Sequence, residues 1–564
     1  MTSPSWKLSR SAHLDTFCRD HLPSPRTWPE LEFTLPGLHY PGRLNCAAAL
    51  LDDTVRRLGA GRTCLIAGGE RWTYGDLLRR ANQVAQVLAG DLGLVPGQRV
   101  LLRGPNNPWL VACWLGVLKA GGVVVTTMPL LRTAELRTLI DLTGPEFALC
   151  DHRIAGELLA AAGNLTVLSY GGAGRADLVA RAAAKSGEFA NIPTAADDVA
   201  LLAPTSGTTG APKITMHFHR DVLAVADTFS RHVLRPATAD VFTGTPPLAF
   251  TFGLGGLVIF PLRAGAATVL TETADPEELA VAIREHSASI LFTAPTAYRA
   301  LLRSGRAGLL KGLRRCVSAG EHLPAPVWRE VRDQAGARII DGIGSTEMLH
   351  VFISAADTGI RPGATGRAVP GYRVAVLDEA GCPVPDGTPG RLAVIGPTGC
   401  RYLADARQAQ YVQHGWNITG DTYVRDGDGY FWYQARSDDM IVSSGYNIAG
   451  PEVEQALELH PDVAECAVIG LPDSGRGMIV HAAVVLRPGA VVGDAKAREL
   501  QDHVKRVLAP YKYPRSIEFR PDLPRTPTGK LQRYRLREMQ PASTANGLPT
   551  QSLTGPATPA LRVG

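Results

Sequence analysis

Two glycines, four hydroxyls and one lysine crowd into the nine residues Thr205–Lys213, which read Thr-Ser-Gly-Thr-Thr-Gly-Ala-Pro-Lys. Gly207 and Gly210 let the backbone turn its N–H groups inward and approach an anion closely. Ser206, Thr208 and Thr209 add neutral donors and Lys213 adds a positive charge, a set that suits a polyphosphate. The spacing is Gly-x-x-Gly-x-x-Lys with no Ser or Thr after the lysine, so it is not a Walker A loop. The same composition also makes an ordinary polar turn between two strands. What lies downstream separates the two readings.

Glu347 closes Gly344-Ser345-Thr346-Glu347, shortly after an apolar strand that starts near Arg338. Beside a triphosphate, its carboxylate would hold Mg²⁺ through oxygen while the metal bridges phosphates, and Thr346 would donate to the α-phosphate. Alone, the tetrapeptide equally suits a helix start, with Thr346 as cap and Glu347 in the first turn. Asp421, in Gly415-Trp-Asn-Ile-Thr-Gly-Asp421, can accept two hydrogen bonds from a ribose diol or close an Asx turn. Lys530 follows Pro-Thr-Gly. Such a lysine is commonly a solvated surface charge, but a point charge on a flexible stem also suits stabilisation of a pentavalent phosphorus.

In this order the motifs resemble those of the acyl-adenylate-forming superfamily, which holds acyl-CoA synthetases, adenylation domains of peptide synthetases and luciferases. The resemblance spans roughly residues 45–538. It implies that Thr205, Ser206, Gly207, Thr208, Thr209, Gly210 and Lys213 hold the phosphates of ATP. It further implies that Gly320, Glu321, Thr346, Asp421 and Arg436 serve the nucleotide, with Asp421 on the ribose and Arg436 supporting it. Glu347 is then the Mg²⁺ ligand and Lys530 the catalytic lysine. Asp438 is implied as the hinge between a large N-terminal domain, 1–437, and a small mobile α+β domain, 438–538. Rotation about it brings Gly445 and Tyr446 to a tunnel for the thiol of coenzyme A.

Three further stretches narrow the branch. Phe250, in Pro247-Leu-Ala-Phe250-Thr-Phe252-Gly-Leu, stands where many relatives have a histidine over the acyl site, as in benzoate-type CoA ligases. Asp341–His350 looks like the benzoate and 2-aminobenzoate ligases. Ser443-Ser-Gly-Tyr446-Asn-Ile-Ala-Gly-Pro, Thr215–Asp221 and Ser11–Phe17 are closer to the 2-aminobenzoate-CoA ligases. Phe250, Phe252 and Ile343, with Gly253 and Gly344 allowing close approach, suit a flat apolar ring. The same aromatics suit a core. His350 either meets the ring's far edge and an ortho substituent or packs as a structural histidine.

The implied reaction joins a small aromatic carboxylic acid to AMP and passes it to coenzyme A. The acid is 2-aminobenzoate first, then benzoate or 2-hydroxybenzoate. A carrier-protein phosphopantetheine is the alternative acceptor. An inactive nucleotide-binding regulatory protein is the rival from another class, and Lys530, Glu347 and Asp421 argue against it.

These groups need a scaffold. A chain of 564 residues exceeds what one core supports, so two domains are expected. The 45% apolar and 20% charged fractions are ordinary for a globular protein. A net charge of +5 without a basic tract leaves nucleic-acid binding unsupported. Nine cysteines without a Cys-x-x-Cys pair read as reduced thiols in the cytoplasm. Neither a secretory h-region nor an apolar run of about 18 residues is visible, so no membrane association is expected. A homodimer is the default for an enzyme of this size.

Strands alternate with helices from Arg99 to Thr127 and from Ala267 to Tyr298, which predicts an α/β fold of βαβ units with a mostly parallel sheet. Residues 1–45 should wrap a larger body and Asp151–Asp198 should be peripheral. Gly366–Ile395 reads as a small β-subdomain, and new β and α segments begin after Arg436. The Pro/Ser/Thr/Gly-rich stretch 539–564 reads as a disordered tail.

Overall fold

The computed structural model describes residues 8–205, 211–273, 275–436, 440–524 and 531–539. Its first sheet has at its centre the strands Arg99–Arg103 and Val123–Thr127, which are buried throughout. Strands of that kind belong inside a sheet covered on both sides. The strand order is Thr166–Tyr170, Phe147–Asp151, Arg99–Arg103, Val123–Thr127, Val199–Thr205, Lys213–Phe218. Neighbours run parallel except the last pair, which is antiparallel with Thr205 opposite Lys213. The Thr205–Lys213 stretch therefore links two antiparallel strands, Val199–Thr205 and Lys213–Phe218. Ser206, Gly207, Thr208, Thr209 and Gly210 lie outside the described residues.

Helix Pro108–Lys119 covers this sheet. Asn107 caps it by accepting from the Leu110 N–H, and Pro108 sits at its first position. Its Gly116 rests on helix Tyr74–Gln86, where an added Cβ would come within 2.6 Å of Val84. That second helix opens with a capping box between Thr73 and Asp76. Both helices feed the largest core, which also takes in Phe229, Phe260 and Phe292.

A nine-stranded sheet follows. It runs from the edge pair Arg367–Ala368 and Val351–Ser354 through Ile339–Gly344, Arg315–Ser318, Ile290–Thr293, Val241–Gly244, Ala267–Leu270 and Thr63–Ala67 to Glu70–Thr73. From Ile339–Gly344 to Thr63–Ala67 the neighbours are parallel, and the pairs at both edges are antiparallel. Loops leaving the carboxyl ends of Arg315–Ser318 and Ile339–Gly344 carry Gly320–His322 and Ser345–Glu347. Such ends are where open α/β sheets place ligands.

The β-subdomain is larger than Gly366–Ile395. Its five strands reach Arg436 and include the long, partly polar Trp416–Arg425. The stretch 151–198 is peripheral as expected, with Thr166–Tyr170 as an edge strand. The N-terminal segment wraps the body, since Asp15 N–H donates to Pro96, Glu30 N–H to Gly415 and Leu44 N–H to Thr194.

A separate small unit begins at Met440. The hairpin Val463–Asp473 with Gly477–Leu486, joined by Met440–Ser443, Tyr446–Ala449 and Ser516–Phe519, forms its sheet. Ile441, Val453, Leu457, Val484, Leu500 and Val504 fill its core. Asp438, Lys530 and the 540–564 stretch lie outside the described residues. Among the described residues no helix is long and apolar enough to cross a membrane. All nine cysteines are free thiols.

Candidate active site

The Lys213–Phe218 strand starts the site. Lys213 Nζ donates to the Tyr402 hydroxyl at 2.7 Å, and that hydroxyl donates to Glu347 Oε1 at 2.5 Å. The same ammonium lies 3.6 Å from Glu347 Oε1 and 4.7 Å from the centre of the Tyr402 ring. Glu347 and Tyr402 are both buried, so the three groups interact in a medium that strengthens hydrogen bonds and penalises unpaired charge. Burial and the Glu347 charge push the Tyr402 hydroxyl far above its usual range, which keeps its proton in place as a donor.

Tyr402 is the member of this cluster that sequence reasoning missed. Its segment is laced onto the Lys213 strand, with Met216 N–H donating to Arg401 and Leu403 N–H to Ile214. The signal available was a tyrosine between two charged and apolar neighbours in an aperiodic loop, which by itself says nothing of what the hydroxyl meets.

Thr346 and Glu347 do not start a helix. They form a turn in which the Thr346 carbonyl accepts from the Leu349 N–H at 3.1 Å, and Leu349 takes φ +65°. Ser345 Oγ accepts from the Met348 N–H at 3.2 Å, and Thr398 Oγ1 donates to the Met348 carbonyl at 2.9 Å. This bonding holds a leucine in the left-handed region, which non-glycine residues seldom enter. The turn leaves Glu347 facing Lys213 and Tyr402.

Asp421 lies within a strand and not in an Asx turn, and the sheet register places it directly across from Arg436. Near it, His322 stacks on Tyr433 with centroids 5.1 Å apart. Gly320 has φ +88°, which suits glycine at this bend. Its neighbour Glu321 accepts Thr296 Oγ1 at 2.7 and 2.8 Å and pairs with Arg299 at 3.0 Å. Burial pushes the Glu321 carboxyl up, against these partners. Glu321 also faces the small unit: a Cβ at Gly445 would lie 3.9 Å from Oε1, and one at Gly477 would lie 3.8 Å from Oε2.

The expected aryl-pocket residues divide into two groups. Phe252 lies 5.7 Å from the His350 ring and 5.4 Å from Phe292, and Gly344 abuts the His350 backbone, where a Cβ would be 2.6 Å from its carbonyl oxygen. His350 itself is buried against Phe229, Phe252, Phe260 and Phe292, and burial lowers its pKa to about 3. It is a packed histidine that backs Phe252. Ile343 packs against the same core. Phe250 belongs to the other group, its ring 5.8 Å from Tyr446 of the small unit. Gly253 sits so close to the Pro247 carbonyl, 2.2 Å from an added Cβ, that no side chain fits.

Tyr446 stacks on Tyr511 at 4.1 Å. Beside them Lys512 Nζ reaches Glu135 of the large unit at 2.6 Å and Glu452 of the small unit at 2.5 Å, and the Ala509 N–H donates to Glu135 at 2.9 Å. The structure thus brings together Thr205, Lys213, Thr346 and Glu347 in one cluster, and Glu321, Gly445, Tyr446 and Phe250 at the contact of the two units.

The AMP-binding enzyme family matches residues 51–402, and the AMP-binding enzyme C-terminal domain matches residues 452–530. The benzoate–CoA ligase of Thauera aromatica is 36% identical over 515 residues, covering 89% of this chain and 98% of its own. The 3-hydroxybenzoate–CoA ligase of Aromatoleum sp. (strain CIB) is 32% identical over 516 residues, covering 88% and 97%. Among solved structures, the anthranilate CoA ligase AuaEII in complex with anthranoyl-AMP is 33% identical, with a TM-score of 0.69 over 89% of this chain and 98% of its own.

Proposed function

The chain belongs to the AMP-binding enzyme family and is an ATP-dependent aryl-CoA ligase, and we propose that its acid is a benzoate, 2-aminobenzoate before benzoate or 2-hydroxybenzoate. The aryl carboxylate attacks the α-phosphorus of ATP and pyrophosphate leaves. The thiol of coenzyme A then attacks the carbonyl of the mixed anhydride, giving aryl-CoA and AMP. Charge in the first step develops on phosphoryl oxygens, so positioning and cations carry it.

The observation behind this reading is the triad at Tyr402, which joins the end of the Thr205–Lys213 stretch to the Thr346–Glu347 turn. Lys213 supplies positive charge to the phosphates, and Tyr402 holds one carboxylate oxygen of Glu347. The buried carboxylate of Glu347 offers the hard oxygen ligands that fit Mg²⁺; when bound there, the ion would neutralise phosphate charge, with the Thr346 hydroxyl left to donate to the α-phosphate. Asp421, with Arg436 opposite, takes the ribose. Phe252, backed by His350, and Phe250, next to Tyr446, provide the aromatic walls.

Lys530 is assigned to the first step and Gly445–Tyr446 to the thiol's approach, with Asp438 as the pivot between a large domain, 1–437, and a small one, 438–538. A cytoplasmic setting accords with nine free thiols. Coenzyme A is favoured over a carrier protein because the named relatives are CoA ligases.

Pyrophosphate exchange with a panel of aryl and aliphatic acids tests the substrate. Exchange should be strongest with 2-aminobenzoate and benzoate and should need added Mg²⁺. Equal exchange with a medium-chain fatty acid would overturn the aryl assignment.

A further inference from the structure

His217 plays no part in the reading above, yet it is fully buried and tied to the site. It lies on the Lys213–Phe218 strand, where the two-residue period puts Lys213, Thr215 and His217 on one face. At one end of that face Lys213 meets Tyr402 and Glu347. At the other, His217 Nε2–H donates to the carbonyl of Thr346 at 2.8 Å.

A carbonyl only accepts, so Nε2 carries the proton. Burial, partly opposed by Asp221, lowers the ring's pKa to about 4 and keeps it neutral. The groups behind it are fixed. Asp221, 4.0 Å from Nδ1, accepts from Arg401 at 2.9 Å and from the Phe218 N–H at 3.0 Å. The Arg401 guanidinium in turn lies over the Phe218 ring.

The Thr346 carbonyl is also the acceptor that closes the turn onto Leu349. Leu349 holds a left-handed backbone that persists only where its surroundings over-determine it. A peptide group pinned by both bonds cannot rotate without moving the Thr346 hydroxyl and the Glu347 carboxylate, which flank it in sequence.

We propose that His217 is a positioning residue for adenylate formation: its N–H fixes the Thr346 peptide and thereby aims Thr346 and Glu347 at the nucleotide. One strand then carries both the cation for the phosphates and the clamp on the metal-side turn. The inference rests on Thr346 and Glu347 serving ATP.

The test compares His217→Leu, His217→Asn and His217→Gln. Glutamine carries its amide N–H near the place of Nε2 and asparagine near that of Nδ1, so the pair separates the hydrogen bond from the mere presence of a polar side chain. MgATP affinity is read by calorimetry, and the two half-reactions are timed separately. Leucine and asparagine should weaken MgATP binding and slow pyrophosphate exchange by about tenfold or more, while glutamine stays within about threefold of the parent.

Transfer to coenzyme A from pre-formed aryl adenylate should be unchanged in all three. Glutamine as damaging as asparagine, or leucine binding MgATP like the parent, would overturn the proposal. If the leucine variant does not fold, the glutamine and asparagine pair decides. Glu347→Gln is the control on the premise: if it leaves ATP binding and exchange intact, the assignment of the turn fails, and not the His217 clamp alone.

Discussion

The hydroxyl of Tyr402 stands between a cation and an anion, accepting from Lys213 and donating to Glu347. Tyr402→Phe removes both bonds and lets the ammonium collapse onto the carboxylate. A charge-assisted bond of this kind contributes about 1.5–3 kcal/mol, so kcat/KM for ATP should fall by roughly tenfold to a hundredfold while KM for coenzyme A holds. Steady-state kinetics decides it, and unchanged ATP kinetics would reduce the triad to packing. Lys213 and Glu347 were legible because their charges adjoin glycine-rich turns; the partner of Tyr402 was not, because it is set by tertiary lacing. Histidines show a related limit: His217 and His219 carry no role in the sequence and His350 reads either as the edge of an aryl pocket or as a packed histidine, yet burial lowers the three to about 4, 3 and 3 in that order. Their folded pKa values lie below the ordinary value, so the unfolded chain binds protons that the native form refuses. Stability is therefore full above pH 6.5 and is lost as pH falls toward 4. At pH 5.5 the three together should cost up to about 4 kcal/mol. A melting temperature flat from pH 7 to pH 5 would contradict this.

At the scale of elements, the segment Pro246–Phe252 shows how backbone sets a pocket wall. Asn106 grips it from the neighbouring sheet, donating to the Pro246 carbonyl at 3.0 Å and accepting from the Leu248 N–H at 2.8 Å. The following Gly253 leaves no room for a Cβ beneath the Pro246 and Pro247 carbonyls. Gly253→Ala should push this segment outward and carry Phe250 and Phe252 with it. KM for the aryl acid is expected to rise by about tenfold or more with ATP affinity retained, since a misfit of this kind costs about 1–3 kcal/mol; a matched loss on both substrates would mean general damage. Buried strands such as Val123–Thr127 were readable from unbroken apolar runs. Trp416–Arg425 was not, because Asn417, Thr419 and Asp421 break the apolar pattern of a strand whose polar groups are used inside the subdomain. The Thr346–Glu347 pair read equally well as a helix start until bonds from Thr398 and Ser345 made it a turn.

For the whole molecule, two domains followed from length alone, but how they meet did not. Glu135 and Lys512 lie 377 positions apart, and neither sits in a motif. Here they close a buried contact in which one ammonium serves two carboxylates, Glu135 from the large unit and Glu452 from the small. Breaking one partner of a buried ion pair leaves uncompensated charge and is strongly unfavourable. The contact therefore favours the orientation in which Tyr446 meets Phe250 and Gly445 faces Glu321. If that is the orientation for thiol transfer, weakening the contact should penalise the second half-reaction only. In Glu135→Gln, Lys512 keeps Glu452 as its counter-ion, so the small unit stays folded while the tie between units loosens. A shift of about 1.4 kcal/mol in the balance of orientations is tenfold in population. Single-turnover transfer from aryl adenylate to coenzyme A should slow by about that factor, with pyrophosphate exchange unchanged or faster, because the small unit is freed to carry Lys530 toward the phosphates. Slowing of both steps alike would show that the contact stabilises the fold without choosing between orientations.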